Sequence, residues 1–233
     1  MNKENKKFIE DPLKFMEENI VLLESSRGMG CYNFTLVRDE SYKGFDIVPG
    51  KKKKRKRDVY FLKLCGPAKN EEQKEDQSDN SPLIRAYWHP EDICEGRPSI
   101  MDLGQQEQDA DIYFTVTLNG CSMAYSPWHP PKLLHINTAK SEYVHKAAFK
   151  VFGGHPYVGL LYPAGDYALV VDEKTQPEPD NMIFFGLKNK KDGLWRFYRH
   201  GLDIRDDKTV NRLYYNRLID SCEHLYPSLP DKI

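Results

Sequence analysis

Cys121 closes the alternating apolar run "DIYFTVTLNGC", which begins at Asp111, and His135 follows fourteen residues later in "LLHINT". Those residue types in that order suit nucleophilic catalysis by sulfur. A thiol attacks only as the thiolate, so it needs a cationic partner or backbone N–H donors nearby. Gly120 lets the chain turn sharply before the sulfur and removes a side chain that would crowd a substrate carbonyl. The N–H groups of Cys121 and Ser122 are then placed to converge on a developing oxyanion. A histidine can pair with the sulfur as base and later return the proton as acid. The product of such a site is amide or ester cleavage through a thioester. Residue type alone favours a plainer role, because cysteine in an apolar neighbourhood is most often inert core.

Other histidines compete for the role of base. His129 stands eight residues after Cys121 in "PWHPP", a proline-rigid loop that reads as surface. His145 falls in "EYVHKAAF" and His155 in a Gly-Gly-His-Pro turn, where solvent-facing or packing roles fit better. The other conspicuous feature is "KKKKRKR", Lys51–Arg57. Such a run serves as a localisation signal, as a phosphate- or nucleic-acid-binding patch, or as a solvated hairpin tip. The whole chain has a formal net charge of −1, so it has no overall electrostatic attraction to nucleic acid. Five cysteines (Cys31, Cys65, Cys94, Cys121, Cys222), odd in number and without a CxxC pair, argue against a disulfide framework and a structural zinc site. No phosphate-loop, zincin or dinucleotide fingerprint occurs, so we expect neither a metal nor a cofactor.

These residues must be positioned by a fold, and 233 residues are enough to bury a core without cross-links. The chain reads as a single domain over 1–233, of α+β class, with strands packed as a β-sandwich and helices at its ends. Asp11-Pro12 supplies a cap and a first-turn proline, and Leu13, Met16, Ile20 and Leu23 recur at helical spacing, predicting one helix that stops near "SSRGMG". Strands are expected in "CYNFTLVRD", "KGFDIV", "VYFLKLCG", "LIRAYWHP", "ADIYFTVTLNG", "LLHINT", "GLLYPAGDYALVVD", "NMIFFGLKN" and "LWRFYRH". A basic hairpin loop is expected over 49–58 and an acidic surface loop over 66–82. "EYVHKAAFKVF" reads as a short helix. Val210, Leu213, Tyr214, Leu218, Cys222 and Leu225 predict a C-terminal helix capped by Asp207 or Thr209. No apolar run approaches a membrane span, and the N-terminus carries no secretory pattern, which gives a cytoplasmic protein as synthesised.

The segment "YFTVTLNGC…LLHINT" resembles the catalytic core of the Burkholderia lethal factor-like glutamine deamidase toxins, within the superfamily of the cytotoxic necrotizing factor catalytic domain. That family carries a strand ending Leu-Ser-Gly-Cys, a threonine six positions before the cysteine, and a histidine followed by Ile-Asp downstream. The matching positions here are Thr115, Cys121 and His135. Asn119 replaces the family serine, and the loop before His135 is slightly longer. The specific match covers about twenty-five residues; elsewhere only element order agrees. The resemblance implies a β-sandwich core flanked by helices and long loops, with Cys121 as nucleophile, His135 as acid–base and Thr115 as the group orienting the imidazole. It also implies a toxin or effector that deamidates a glutamine of a host protein and so works in the host cytosol. A translation-initiation helicase of the DEAD-box class is the favoured substrate, and a Rho GTPase the alternative. Transglutamination by the same thioester stays open, as does a non-enzymatic, nucleic-acid-associated role for Lys51–Arg57.

Overall fold

The computed structural model describes residues 2–24, 28–47, 54–67, 82–90, 97–106, 109–126, 128–138, 141–153, 159–161 and 181–218. The chain opens with two short helices, α1 (Lys3–Glu10) and α2 (Pro12–Glu18). Asn2 caps the first by accepting from the N–H groups of Glu4 and Asn5 at 3.1 and 3.3 Å, and Asp11 caps the second through Lys14 N–H at 3.0 Å. The expected single helix to Leu23 therefore divides and ends early. Ile20, Val21 and Leu22 instead enter strand β1 (Ile20–Glu24). All three are buried in succession, as a strand covered on both faces requires, so the helical spacing of Ile20 and Leu23 is coincidental.

Next come β2 (Gly30–Arg38), β3 (Lys43–Asp46), β4 (Arg55–Arg57), β5 (Val59–Pro67), β6 (Ile84–His89), β7 (Pro98–Asp102), β8 (Ile112–Thr115), β9 (Ser122–Tyr125) and β10 (Lys132–Ile136). Helix α3 (Ser141–Val151) follows, then β11 (Gly159–Leu161), β12 (Asn181–Lys188), β13 (Trp195–Ile204) and β14 (Thr209–Leu218). Ten strands form one sheet in the order β1-β5-β2-β6-β8-β12-β13-β14-β3-β4, and four form a second in the order β11-β9-β10-β7. The larger sheet curls until its ends meet. A methyl group on Gly44 of β3 would lie 2.7 Å from the Arg57 carbonyl oxygen and 2.8 Å from Val59 Cγ2 of β5, so only glycine permits this approach. Inside the curl, Phe8, Phe15 and Met16 from the helices pack with Phe34, Leu62, Trp88, Phe114 and Phe185.

The smaller sheet lies across the opposite face of the larger one. Tyr87, Tyr113, Met182, Phe184 and Phe197 of the large sheet meet Met123, Tyr125, Leu133 and Cys121 of the small one. On the far side of the small sheet, Ala124, Leu134 and Ile136 are covered by Val144, Ala148 and Phe152 of α3 and its exit. The chain is thus mixed, mostly sheet, with helices laid on sheet faces rather than at the ends.

Two further expectations are corrected. The C-terminal helix is strand β14, antiparallel to β13 and parallel to β3. Asp207, the expected cap, instead accepts from Thr209 N–H at 2.9 Å in the β13–β14 turn. Consecutive burial of Val210, Asn211 and Arg212 explains the switch, because a helix would have turned one of them to solvent; residues 219–233, with Cys222 and Leu225, lie outside the described residues. The basic loop is also shorter than 49–58. Arg55–Arg57 is a strand, and Arg57 is buried, with its Nε on Asp46 Oδ2 at 2.6 Å. Residues 48–53 and most of the acidic loop, 68–81, lie outside the described residues, and β5 runs on to Pro67. Among the described residues no helix is long and apolar enough to cross a membrane.

Candidate active site

Thr115, Cys121 and His135 arrive at the interface between the two sheets from three strand ends. Thr115 is the last residue of β8, where Tyr113 and Thr115 face the small sheet while Ile112 and Phe114 face the opposite core. Cys121 does not end a strand, as the sequence predicted. β8 stops at Thr115, Leu118 makes an isolated bridge to Met182, and Cys121 leads directly into β9. Gly120 takes φ +86° in the turn between them, a conformation that only glycine adopts cheaply. A Cβ there would meet nothing within 4 Å among the described residues.

Register decides whether the nucleophile and the base share a face. In the β9–β10 pair, His135 lies opposite Met123, and the pairing ends where Ile136 lies opposite Ser122. Side chains alternate along a strand and agree across a pair. Met123, Leu133 and His135 therefore share the face turned toward the large sheet, and Cys121, one residue before β9, packs in the same cluster as Met123 and Leu133. His129, the rival base, sits in the turn at the other end of this hairpin. It is exposed, and its Nδ1 accepts from Trp195 N–H at 3.4 Å. His145 is on α3, and His155 lies outside the described residues.

Hydrogen bonds fix the tautomer of His135. The Thr115 hydroxyl donates to the His89 carbonyl at 2.6 Å, so its oxygen is left to accept from His135 Nδ1 at 3.1 Å. Nδ1 carries the proton, and Nε2 carries the lone pair. Nε2 is buried and has no hydrogen-bond partner among the described residues. Burial holds the His135 pKa down at about 4, against a smaller upward pull from the backbone carbonyls of Pro90 and His89. The ring is thus a neutral imidazole with an unused acceptor, the form a general base requires. The Cys121 thiol, 3% exposed, donates to Asn137 Oδ1 at 3.7 Å rather than to His135.

Around these residues stands a shell that sequence reading did not single out. His89 lies edge-on to His135, with ring centroids 5.8 Å apart. Its Nδ1 bonds the Tyr113 hydroxyl at 2.8 Å and its Nε2 bonds Ser99 Oγ at 3.0 Å. Burial, reinforced by the neighbouring His135, lowers its pKa to about 3, and burial raises that of Tyr113. His89 is therefore satisfied at both nitrogens, and its carbonyl anchors Thr115. The signal was the alternation of Arg85, Tyr87 and His89 in β6, which puts the histidine on the inner face with Tyr87. Asn137 lies just past the end of β10, where strand alternation does not reach.

In comparisons with known proteins, no family model matches the chain and no curated protein matches it. Among the described residues no cluster of three or more His, Cys, Asp or Glu side chains could hold a metal ion. The arrangement offers a thiol, a neutral imidazole and a threonine that orients it, which is the equipment of acyl transfer through sulfur.

Proposed function

We propose that the chain is a thiol-dependent hydrolase of side-chain amides, a protein-glutamine deamidase. The observation that carries this reading is the unpartnered Nε2 of His135, fixed by Thr115 through Nδ1, on the sheet face whose cluster also holds Cys121. The alternative, a satisfied core histidine beside an inert thiol, leaves that buried acceptor without a role. Among the described residues Trp88 Nε1 and Arg85 Nε are also buried without a partner, but both are donors; His135 Nε2 alone of the three is an acceptor, able to take the proton of a thiol.

The chemistry runs in two halves. His135 Nε2 takes the thiol proton, and the sulfur attacks the glutamine carboxamide carbon, forming a C–S bond and a tetrahedral oxyanion. The imidazolium returns the proton to the leaving nitrogen, the C–N bond breaks, and ammonia departs from a thioester. Water then attacks the thioester as Nε2 takes its proton. The C–S bond breaks, the sulfur recovers the proton, and glutamate remains.

The motif "YFTVTLNGC…LLHINT" supports the narrower reading of a toxin or effector acting on a host protein, with an initiation-factor helicase of the DEAD-box class as the favoured substrate and a Rho GTPase as the alternative. A role carried by Lys51–Arg57 is less well supported, because Arg57 is held in a buried ion pair. Peptide mass spectrometry of a translation extract treated with wild type or Cys121→Ser tests the proposal. Glutamine-to-glutamate conversion with wild type alone is the expected result, and its target names the substrate. Conversion by neither protein, across the extract and purified Rho GTPases, would overturn it.

A further inference from the structure

Ser99 lies directly opposite His135 across the β10–β7 pair, on the strand that forms one edge of the smaller sheet, and it is only partly buried. Its Oγ stands 3.0 Å from His89 Nε2, and His89 Nδ1 stands 2.8 Å from the Tyr113 hydroxyl. Such a chain has two proton arrangements. Either Tyr113 donates to Nδ1 and Nε2–H donates to Ser99, or Nδ1–H donates to Tyr113 and Ser99 donates to Nε2. Thr115 selects the second. Its side chain also hydrogen-bonds the Tyr113 hydroxyl, while its single proton already goes to the His89 carbonyl at 2.6 Å. The proton between Tyr113 and Thr115 is therefore the phenol's, which leaves the Tyr113 oxygen to accept from His89. A hydroxyl that donates to an imidazole, itself oriented by a third group, is the arrangement of an activated nucleophile.

We propose that Ser99 is a second nucleophile, with His89 as its base and Tyr113 orienting that base, and that this trio transfers the acyl groups of esters through an acyl-serine. As Oγ attacks the ester carbonyl carbon and a C–O bond forms, the hydroxyl proton passes to Nε2. The ester's own C–O bond then breaks, and Nε2–H returns the proton to the leaving alcohol. Water releases the acyl group from Ser99 by the same two steps. The class is esters rather than amides because burial makes His89 a weak base, and an ester carbonyl asks less of its nucleophile. This site shares Thr115 with the one at Cys121 but needs neither that thiol nor a glutamine, so the two readings stand or fall separately.

A fluorophosphonate probe on the whole chain tests this. Ser99 Oγ bonds the phosphorus, the P–F bond breaks, fluoride departs, and the hydroxyl proton leaves through His89. Intact mass and peptide mapping should find one adduct per chain, on Ser99, and none in Ser99→Ala. A general base contributes about a hundredfold or more, so His89→Gln should slow the labelling at least that much. Tyr113→Phe keeps the ring and removes only the oxygen that orients His89, and it should slow labelling about tenfold, the scale of one lost hydrogen bond. This second variant guards against a histidine variant that folds poorly. Wild-type protein that takes no adduct on Ser99 overturns the nucleophile. Ser99 labelled at the wild-type rate in both variants is an ordinary surface hydroxyl, and that result overturns the trio.

Discussion

Asp46, Arg57 and Arg212 lie as deep in the protein as Thr115, His89 and His135, but the two clusters treat their polar atoms in opposite ways. Around Asp46 full charges are used up. Arg57 Nε and Arg212 Nε reach its two carboxylate oxygens at 2.6 and 2.8 Å. The remaining guanidinium donors close the C-terminal end of α2. Arg212 bonds the carbonyls of Met16, Glu17 and Asn19, and Arg57 bonds that of Glu18. Cations there complement the negative end of the helix as well as its orphan carbonyls. Between the sheets the groups are neutral, and one acceptor, His135 Nε2, is left over. A buried cluster with every atom paired fastens elements together; one with a lone pair to spare is equipped for a reaction.

The comparison breaks most visibly at Cys121. Cys121→Ser changes one atom, so the fold should persist within about 1 kcal/mol by urea denaturation. Conversion of glutamine should disappear into background, a loss of at least about 10⁴-fold, because a serine hydroxyl in this pocket is a far weaker nucleophile than the thiolate. Retained conversion would transfer the chemistry to another group.

At the ion cluster the same kind of change acts on stability instead. Asp46→Ala leaves two guanidinium groups buried without their carboxylate, which costs about 3–5 kcal/mol. Equilibrium urea unfolding measures it, and whatever molecules remain folded should keep the thiol chemistry. Destabilisation under about 1 kcal/mol would mean that the helix carbonyls alone suffice for the two arginines.

How far the chain announced these two regions follows from the range of their contacts. The side around the candidate site was more legible because its information is local. The alternations in "LIRAYWHP" and "LLHINT" gave strands, and the residues themselves gave Cys121 and a choice of histidines; the trio of Thr115, Cys121 and His135 came from the resemblance, and the fold brings its members to one interface. The ion cluster was not legible. Arg212 meets Asp46 across 166 residues of sequence, in a strand whose pattern also suited a helix. Parallel pairings of β1 with β5, β6 with β8 and β14 with β3 are equally non-local, and they turn Ile20–Leu23 and Val210–Leu213 from helical spacing into buried strands. The His89 contacts lay in between, readable from strand alternation only once the neighbouring strand was known.

Acid distinguishes the clusters by a smaller margin. His89 and His135 have pKa values lowered to about 3 and 4 by burial, against an ordinary value of about 6.5 in the unfolded chain. The unfolded state therefore binds protons first as pH falls. Stability from keeping both rings neutral is whole above about pH 6.5 and declines toward pH 4, at about 1 kcal/mol per histidine for each pH unit. Urea unfolding at pH 7.5 and pH 5.5 should show a loss of about 2–3 kcal/mol from the pair. His89→Gln should halve that pH dependence, and an unchanged slope would assign the acid sensitivity to other groups.

The finest test separates orientation from packing within the site. Thr115→Val keeps the shape of the side chain but removes the oxygen that accepts from His135 Nδ1 and donates to the His89 carbonyl. The fold should lose only about 1 kcal/mol, near the usual net value of a hydrogen bond. Turnover should fall about tenfold to a hundredfold, because the imidazole loses the partner that fixes its tautomer. Thr115→Ser restores the hydroxyl and should restore turnover, although it leaves a methyl-sized gap. Rescue by serine with failure by valine is the pattern of an orienting hydroxyl. If both variants fall equally, the methyl group is what matters, and Thr115 belongs with the packed core around Tyr113 rather than with the reacting groups.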